Sequence, residues 1–137
     1  MTTLSDVKLI DLPKILDARG NLSFMESMKH IPFVMKRVYW IYDVPGGEIR
    51  GSHAFCEQEE VLIALSGSFD IVLHDGKEEK KYSLNRSYFG LFVPCMVWRT
   101  LENFSTNALC LVLSSTSFDR GDYIRDFELY LQEKKRE

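Results

Sequence analysis

The stretch GEIRGSHAFCEQEEVLIALSG, residues 47–67, decides how this chain folds. It begins and ends with glycine, and its second half contains Val61–Leu65, an apolar run of the length that predicts a buried β-strand. The first half carries a single imidazole, His53, two residues after Gly51. The stretch therefore predicts a strand, a bend and a second strand, with His53 near the start of the first strand.

Further short strands are predicted on both sides of this stretch. Upstream, Met35–Tyr42 is rich in aromatic and β-branched residues, and its alternation puts Arg37, Tyr39 and Ile41 on one face. Downstream, Asp75-Gly76 is a strong hairpin signal. The other predicted strands are Ser68–Leu73, Glu79–Leu84, Tyr88–Val93, Val97–Leu101 and Ala108–Leu113. Turn signals recur about every 8 to 12 residues, which favours an all-β sandwich or barrel.

Only the C-terminal segment is predicted to be helical. The apolar positions that follow a 3.6-residue period from Asp122 are Tyr123, Ile124, Phe127, Tyr130 and Leu131. Lys134, Lys135 and Arg136 come next, where a helix dipole favours cations, and we expect them to be solvated. Because no linker, repeat or low-complexity segment divides the chain, residues 1–137 are predicted to form a single domain.

Composition limits the classes of function. Among the 137 residues, 45% are apolar and 27% charged, as in an ordinary globular domain, and the net charge of -3 argues against a partner made of nucleic acid or an anionic membrane. The three cysteines, Cys56, Cys95 and Cys110, lie in no CxxC pair, so we expect reduced thiols. The chain has no apolar run of about 18 residues and no basic leader, and we expect a cytoplasmic protein.

The residues around His53 resemble those of a known family. KRVYWIYDVPGGEIRGSHA and LIALSGSFDIVLHDGKEEKKYSLNR closely resemble the nucleotide-sugar 3,4-ketoisomerases, homodimeric cupins that act on dTDP-4-keto-6-deoxyglucose. The blocks GLFVPCMVWRTLENFS, LCLVLSS and DYIRD continue the match in order, so it covers nearly the whole chain. The resemblance implies a cupin jelly-roll β-barrel with a C-terminal α-helix, and a homodimer formed by exchange or pairing of N-terminal strands.

The resemblance also bears on metal binding. In metal-binding cupins, histidines stand where this chain has Phe55 and Arg99, so only His53 and Glu60 remain of the four ligand positions. Transition metals normally take three or four protein ligands, so we expect no metal and no other cofactor. A metal-dependent cupin oxygenase is accordingly a weak alternative. Phe55 is expected to fill the space of the missing imidazole, and the drier pocket is expected to lower the pKa of His53.

His53 is the candidate catalytic base. Moving a ketone from C4 to C3 of a hexose requires a proton to leave C3 and another to arrive at C4 through an enediol, and imidazole exchanges protons near neutrality. Tyr39 matches a tyrosine of the ketoisomerases and is expected to donate a hydrogen bond to a substrate oxygen, with core packing as the alternative. Glu60 is expected either to orient His53 or to pair with Arg50 or Arg37.

Arginines are the candidates for binding the nucleotide diphosphate, because a guanidinium matches phosphate oxygens in a planar fork. The candidates are Arg19 and Arg50 first, followed by Arg37, Arg86 and Arg99. Arg99, in the place of a cupin histidine, is expected to point into the barrel. Within the resembling family this position bears on the C4 epimer that forms. Trp98 is a candidate for stacking on thymine or the sugar, although packing in the core is the favoured role for this residue.

The sequence therefore favours a metal-free isomerase that converts a dTDP-linked 4-keto-6-deoxyhexose into its 3-keto form, which supplies an aminotransferase in deoxyamino-sugar and polysaccharide biosynthesis. Two alternatives stay open. A dTDP-sugar 3,5-epimerase also uses one histidine in a similar Arg-Gly-x-His motif. A non-catalytic sugar-nucleotide-binding cupin is the other, because Phe55 replaces the second histidine of the family. The hexose, the C4 epimer and the nucleotide base also stay open.

Overall fold

The computed structural model describes all 137 residues, which form twelve short strands and one α-helix. The strands in chain order are β1 (Lys8–Asp11), β2 (Lys14–Ile15), β3 (Leu22–Ser23), β4 (Arg37–Ile41), β5 (Arg50–Phe55), β6 (Glu60–Ser66), β7 (Phe69–His74), β8 (Glu79–Leu84), β9 (Phe89–Val93), β10 (Trp98–Glu102), β11 (Leu109–Ser114) and β12 (Tyr123–Ile124). The helix, α1, spans Phe127–Lys135. The predicted strands are confirmed, with ends displaced by one or two residues.

Ten of the strands form two five-stranded antiparallel sheets. The first sheet has the order β1-β9-β6-β11-β4, and the second has the order β12-β5-β10-β7-β8. The remaining two strands, β2 and β3, pair with each other as a hairpin whose four strand residues are all exposed. From β4 to β12, consecutive strands alternate between the two sheets except for the β7–β8 hairpin, as in a jelly roll.

The two sheets enclose one main apolar core. Along β7 every second residue from Phe69 is buried, as expected for a strand with one face toward the core. β6 is buried on both faces: Leu62 and Ala64 face the core between the sheets, whereas Val61 and Ile63 lie beneath the N-terminal part of the chain. This arrangement confirms the all-β barrel expected from the sequence.

The C-terminal helix begins later than predicted. The residues Tyr123 and Ile124 form β12 and pair with β5, so the prediction of a helix from Asp122 is wrong. The helix begins after Asp126, whose carboxylate accepts hydrogen bonds from the first free backbone N–H groups. The helical period is misleading here because Ile124 is buried by pairing with the edge of a sheet instead of by a helix, and it is 4% exposed.

One lysine near the end of the helix is buried. Lys134 is 5% exposed, and its ammonium group donates to the carbonyl oxygens of Thr2 and Met96 and to the carboxylate of Glu137. The expectation that Lys134 is solvated is therefore wrong, because it ties the two chain ends together. No helix in the structure has the length and apolar character needed to cross a membrane.

Candidate active site

A pocket of about 480 Å³ opens at one end of the barrel, between the two sheets. Its deep wall includes Tyr39, His53 and Arg99, and its rim includes Arg50 and Arg125. The lining contains three arginines and no carboxylate-bearing residue. The pocket therefore favours an anionic ligand of the size of a small organic molecule.

His53 lies at the bottom of this pocket. It is 7% exposed and stands opposite Arg99 in the pairing of β5 with β10. Its Nδ1 atom is buried and has no hydrogen-bond partner. Burial, followed by the positive charges of Arg99 and Arg125, lowers the pKa of His53 to about 2. The imidazole is therefore neutral in the empty pocket.

Two aromatic rings surround this imidazole. The ring centroids of Phe55 and Tyr123 lie 4.8 and 5.0 Å from that of His53, both in edge-on arrangements. Phe55 is 4% exposed, and its apolar ring stands at the position where metal-binding cupins have a second histidine. The expectation that Phe55 dries the pocket and depresses the pKa of His53 agrees with this geometry.

Arg99 and Glu60 form a buried ion pair beside His53. The distance between Arg99 Nε and Glu60 Oε2 is 2.6 Å, and the two side chains are 2% and 1% exposed. The Tyr39 hydroxyl donates to Glu60 Oε1 at 2.6 Å and accepts from Arg99 Nη2 at 3.0 Å, while Gln58 Nε2 also donates to Glu60. We call these four side chains the Arg99–Glu60 network.

This network corrects two expectations about individual roles. Glu60 pairs with Arg99, not with Arg50 or Arg37, and it accepts no hydrogen bond from His53. The Tyr39 hydroxyl donates to Glu60, so its proton is not free for a substrate oxygen while that bond persists. Burial, with the charge of Glu60, raises the pKa of Tyr39 far above its usual value, so the phenol stays protonated. Arg99 points into the barrel, as predicted.

Gly51 allows Arg99 to take this position. Its φ angle is +69°, and a Cβ atom there would lie 2.7 Å from Arg99 Nη1. The same Nη1 donates to the Gly51 carbonyl oxygen at 3.4 Å, and both residues line the pocket. The backbone conformation favours glycine, and a Cβ atom would force the Arg99 guanidinium to shift.

The other candidate binding residues are spread over the molecule. Arg50 lies at the pocket rim, exposed and without an ion pair. Arg37 donates to Gln58 and packs on the Tyr39 and Phe118 rings, behind the pocket wall. Arg86 is exposed in a turn and donates to the neighbouring Asn85 carbonyl, away from the pocket. Arg19 is exposed at the tip of the β2–β3 hairpin and pairs with Asp17.

Trp98 lies outside the pocket, so its candidate role of stacking on a ligand is corrected. It is 9% exposed and packs against Phe127 and Tyr130 of α1, with ring centroids 5.2 and 5.6 Å away. The physical reason is the strand alternation, since Arg99 takes the inward position and Trp98 must face outward, where the helix covers it.

Sequence reasoning missed Tyr123 and Arg125. Both line the pocket because β12 lies beside β5, which brings Tyr123 opposite Phe55. The DYIRD block carries part of the family resemblance, but its apolar period predicts a helix, which would place these residues away from β5. Gln58 was missed because a glutamine in a bend carries no pattern of its own.

No group of three or more His, Cys, Asp and Glu side chains is arranged to hold a metal ion. Glu60 stands at one of the two cupin ligand positions that remain, and its carboxylate is already paired with the guanidinium of Arg99. The three cysteines are free, and Cys110 is buried in the core.

Two antiparallel sheets that enclose a polar pocket at one open end define a barrel of the cupin type. Residues 5–135 match the family described as "FdtA: WxcM-like, C-terminal", and the chain belongs to that family. The chain is also 41% identical over 121 residues to a TDP-4-oxo-6-deoxy-alpha-D-glucose-3,4-oxoisomerase from Aneurinibacillus thermoaerophilus, which covers 88% of this chain and 87% of the relative.

Solved structures give the same result. A 3,4-ketoisomerase from Helicobacter canadensis superposes with a TM-score of 0.93 at 42% identity, over 95% of this chain and 98% of the other. A mutant 3,4-ketoisomerase from Thermoanaerobacterium thermosaccharolyticum, in complex with TDP-4-keto-6-deoxyglucose, gives 0.95 at 38% identity, over 98% and 97%. The family predicted from the sequence is confirmed.

Proposed function

We propose that this protein is a 3,4-ketoisomerase of a dTDP-linked 4-keto-6-deoxyhexose. The observation that carries the proposal is the pairing of a neutral imidazole, His53, with a fixed guanidinium, Arg99, at the bottom of an anion-favouring pocket. Membership of a family whose characterised relatives bear this activity in their names supports it. The chemistry needs one base and one cation, and the pocket contains both.

The reaction moves two protons and leaves the composition of the sugar unchanged. In our proposal His53 takes the proton from C3, and the negative charge that develops on the C4 oxygen faces Arg99. A proton then reaches C4 from the imidazolium of His53, while the proton of the C3 hydroxyl passes to the C4 oxygen, so that C3 becomes the carbonyl and C4 carries the hydroxyl. The C3–H bond breaks, the C4–H bond forms, and no external oxidant or reductant takes part.

The Arg99–Glu60 network would hold the cation in place. Glu60 and Tyr39 fix two of the three guanidinium nitrogens, Nε and Nη2, through the contacts described above, so Arg99 needs little reorganisation when charge develops. We therefore assign Tyr39 a positioning role through Arg99, and Glu60 the same role. Arg50 is our candidate for the diphosphate, because its charge at the rim is uncompensated.

The low pKa of His53 means that its strength as a base depends on whether substrate is bound. A neutral imidazole can accept a proton, but one with a pKa of about 2 is a weak base. Negative charge nearby favours the protonated form. The diphosphate and the developing enediolate would both bring such charge, so we infer that His53 gains basicity when substrate occupies the pocket.

We infer a homodimer of single-domain chains. An apolar groove on the outer face of the first sheet is lined by Trp40, Tyr42, Leu65, Leu109 and Leu111, and the β2–β3 hairpin exposes Leu16 at 72%. A two-stranded hairpin is marginal by itself, which favours docking on a second copy. Light scattering tests this inference, since a monomeric mass would contradict it. The expected cytoplasmic location and the role in deoxyamino-sugar and polysaccharide synthesis belong to the same proposal.

The activity is tested by incubating the protein with TDP-4-keto-6-deoxyglucose and following the sugar by NMR. We expect a 3-keto product, and the proton at C4 identifies its epimer. Solvent deuterium at C3 and C5 of an unmoved 4-keto sugar would favour the 3,5-epimerase alternative. Binding of dTDP without any change in the sugar would favour the non-catalytic alternative.

A further inference from the structure

Gln58 is a buried polar side chain to which the chemistry proposed above assigns no role. It lies in the bend between β5 and β6 and is 2% exposed. Its backbone N–H donates to the Asp122 carboxylate at 3.0 Å, so the bend is held from the side of β12. Gln58 does not line the pocket, and any effect that it has on a ligand there must pass through other side chains.

The neighbours of the Gln58 amide fix its orientation. The amide oxygen accepts hydrogen bonds from Arg37 Nη2 at 2.9 Å and from Thr116 Oγ1 at 2.7 Å. On the other side, Nε2 donates to Glu60 Oε1 at 3.0 Å. A flipped amide would turn its NH₂ group toward the Arg37 guanidinium and its oxygen toward the Glu60 carboxylate, and both contacts would be repulsive. The amide is therefore oriented by a cation on one side and an anion on the other.

The strand order explains how Gln58 joins two charges from different strands. β11 lies between β4 and β6, and Ser114 stands opposite both Arg37 and Glu60 in the two pairings. The two charged residues are thus separated by one intervening strand. Arg37 forms no ion pair, so the Gln58 amide is the hydrogen-bonded link between its charge and the carboxylate of Glu60.

We propose that Gln58 is a positioning residue of the isomerase, which holds the Glu60 carboxylate and, through it, the Arg99 guanidinium. The Oε1 atom of Glu60 accepts hydrogen bonds from Tyr39, Gln58 and Arg99. Of these three donors only Gln58 lies outside the pocket lining, so a substrate that draws on Tyr39 or Arg99 leaves the carboxylate held. This inference rests on the proposed function, because it takes Arg99 to face the charge that develops on the sugar.

The first test compares the steady-state kinetics of Gln58→Met and the wild type on TDP-4-keto-6-deoxyglucose. Methionine keeps the length of the side chain but cannot donate to Glu60, so we expect kcat to fall about tenfold, as for the loss of a hydrogen bond to a charged group. The KM should stay within about twofold, because Gln58 touches no ligand. Gln132→Met, at an exposed glutamine of α1 outside the pocket, is the matched control and should keep both constants. A kcat for Gln58→Met within about twofold of that of the control would overturn the inference.

Loss of a buried hydrogen bond also weakens the fold, and Gln58→Glu separates that effect from positioning. In this variant a carboxyl oxygen takes the place of Nε2, 3.0 Å from Glu60 Oε1. Two carboxylates at this distance stay in contact only with a proton between them, because like charges repel. At low pH the shared proton does the work of the amide N–H, whereas at high pH both groups ionise and the contact is lost.

We therefore expect the ratio of kcat values, Gln58→Glu to wild type, to be about tenfold higher at about pH 5.5 than at about pH 8. The other titratable or charged groups around this pair are Arg37 and Tyr39 on β4, Arg99 on β10, Cys110 on β11 and Asp122 before β12. They are the same in both proteins, so the ratio isolates the effect of the new carboxyl group. A ratio that stays constant with pH would contradict the inference, since a purely structural defect does not depend on the shared proton.

A measurement that needs no turnover makes this outcome separable from that of the proposed function. The Nε–H resonance of Arg99, identified by its loss in Arg99→Lys, reports on the guanidinium in proton–nitrogen NMR spectra. We expect it to move in Gln58→Met and to follow pH between about 5.5 and 8 in Gln58→Glu. If it does so while the wild type leaves the sugar unchanged, Gln58 positions Arg99 and the proposed function fails. If the wild type isomerises the sugar and the resonance is the same in Gln58→Met, the function stands and this inference fails.

Discussion

The deep wall and the rim of the pocket treat positive charge in opposite ways. In the deep wall Arg99 is 2% exposed and its charge is balanced by Glu60 at 2.6 Å. At the rim Arg50 and Arg125 are exposed and have no carboxylate partner. The difference indicates a division of work, since the deep cation is fixed before the substrate arrives and the rim cations obtain their counter-charges from it.

The deep arrangement is costly for the fold. Taking two charges out of water carries a penalty that their attraction often only offsets, so an apolar pair of similar size is often as stable or more so. A buried ion pair at the barrel mouth is therefore better explained by function than by stability. His53 belongs to the deep wall, and after burial its pKa is lowered by a cation from each region, Arg99 and Arg125.

Replacing His53 tests the deep wall most strongly. We expect His53→Asn to lower kcat by roughly 10²–10⁴-fold, which is the contribution of a positioned acid–base group. The Kd of dTDP and the unfolding temperature should change little, because the rim cations remain. His30→Asn, at a half-buried imidazole outside the pocket, is the matched control and should keep full activity. Full turnover by His53→Asn would remove the assigned base.

Breaking the buried ion pair should have the next largest effect. Glu60→Gln leaves Arg99 buried with no counter-charge, and we expect the free energy of unfolding to fall by about 3–5 kcal/mol. Chemical denaturation measures this loss. A double variant, Glu60→Met with Arg99→Met, should recover most of the stability while remaining inactive. If Glu60→Gln were as stable as the wild type, the buried charge of Arg99 would not need the carboxylate of Glu60 to compensate it.

The deep wall could be predicted in part from the sequence. Alternation along β4 put Tyr39 on one face with Arg37 and Ile41. The resemblance to cupins, in which histidines stand at the places of Arg99 and Phe55, predicted that Arg99 points into the barrel and that the pocket is dry. The ion-pair partner of Glu60 could not be predicted, because the chain has several arginines. The sequence does not show which strands of the two sheets face each other. Distances between sheets are set by packing of the whole core.

The rim was predicted less well. Arg50 was found because it belongs to the Arg-Gly-x-His motif, whereas Arg125 lies after a two-residue strand that a helical period concealed. Trp98 was a wrong candidate for the pocket for a related reason: a strand has two faces, and only the structure shows that α1 covers the outer one. Short edge strands and helix coverage are tertiary effects, which override local patterns.

A backbone change next to Arg99 tests how finely the deep cation is placed. Gly51→Ala puts a Cβ atom 2.7 Å from Arg99 Nη1 in a residue with φ of +69°. We expect a loss of about 1–3 kcal/mol in unfolding free energy and a fall in kcat. Gly46→Ala is the control, since nothing lies within 4 Å of its Cβ position and its φ is not positive. Equal effects at both positions would contradict the close approach.

A substitution at the rim should change the KM and leave kcat nearly unchanged, whereas substitutions in the deep wall should lower kcat. We expect Arg50→Gln to raise the KM about tenfold with little change in kcat, because it removes a contact to the diphosphate that is present throughout the reaction. The effect should shrink at high salt, since an exposed charge is screened. Arg86→Gln, exposed and remote from the pocket, is the control. A fall in kcat with an unchanged KM would place Arg50 in the chemistry instead.

The pKa of His53 predicts a smaller effect on stability against pH. The pKa is about 2 in the folded protein and 6.5 in the reference state, so below about pH 6.5 the unfolded chain binds a proton that the folded chain does not. The free energy of unfolding therefore falls as pH falls through this range. Between about pH 7 and 5.5, denaturation curves should show the wild type losing about 1 kcal/mol more than His53→Asn. Parallel losses in the two proteins would mean that the imidazole protonates freely, and that neither the burial of His53 nor the cations around it depress its pKa.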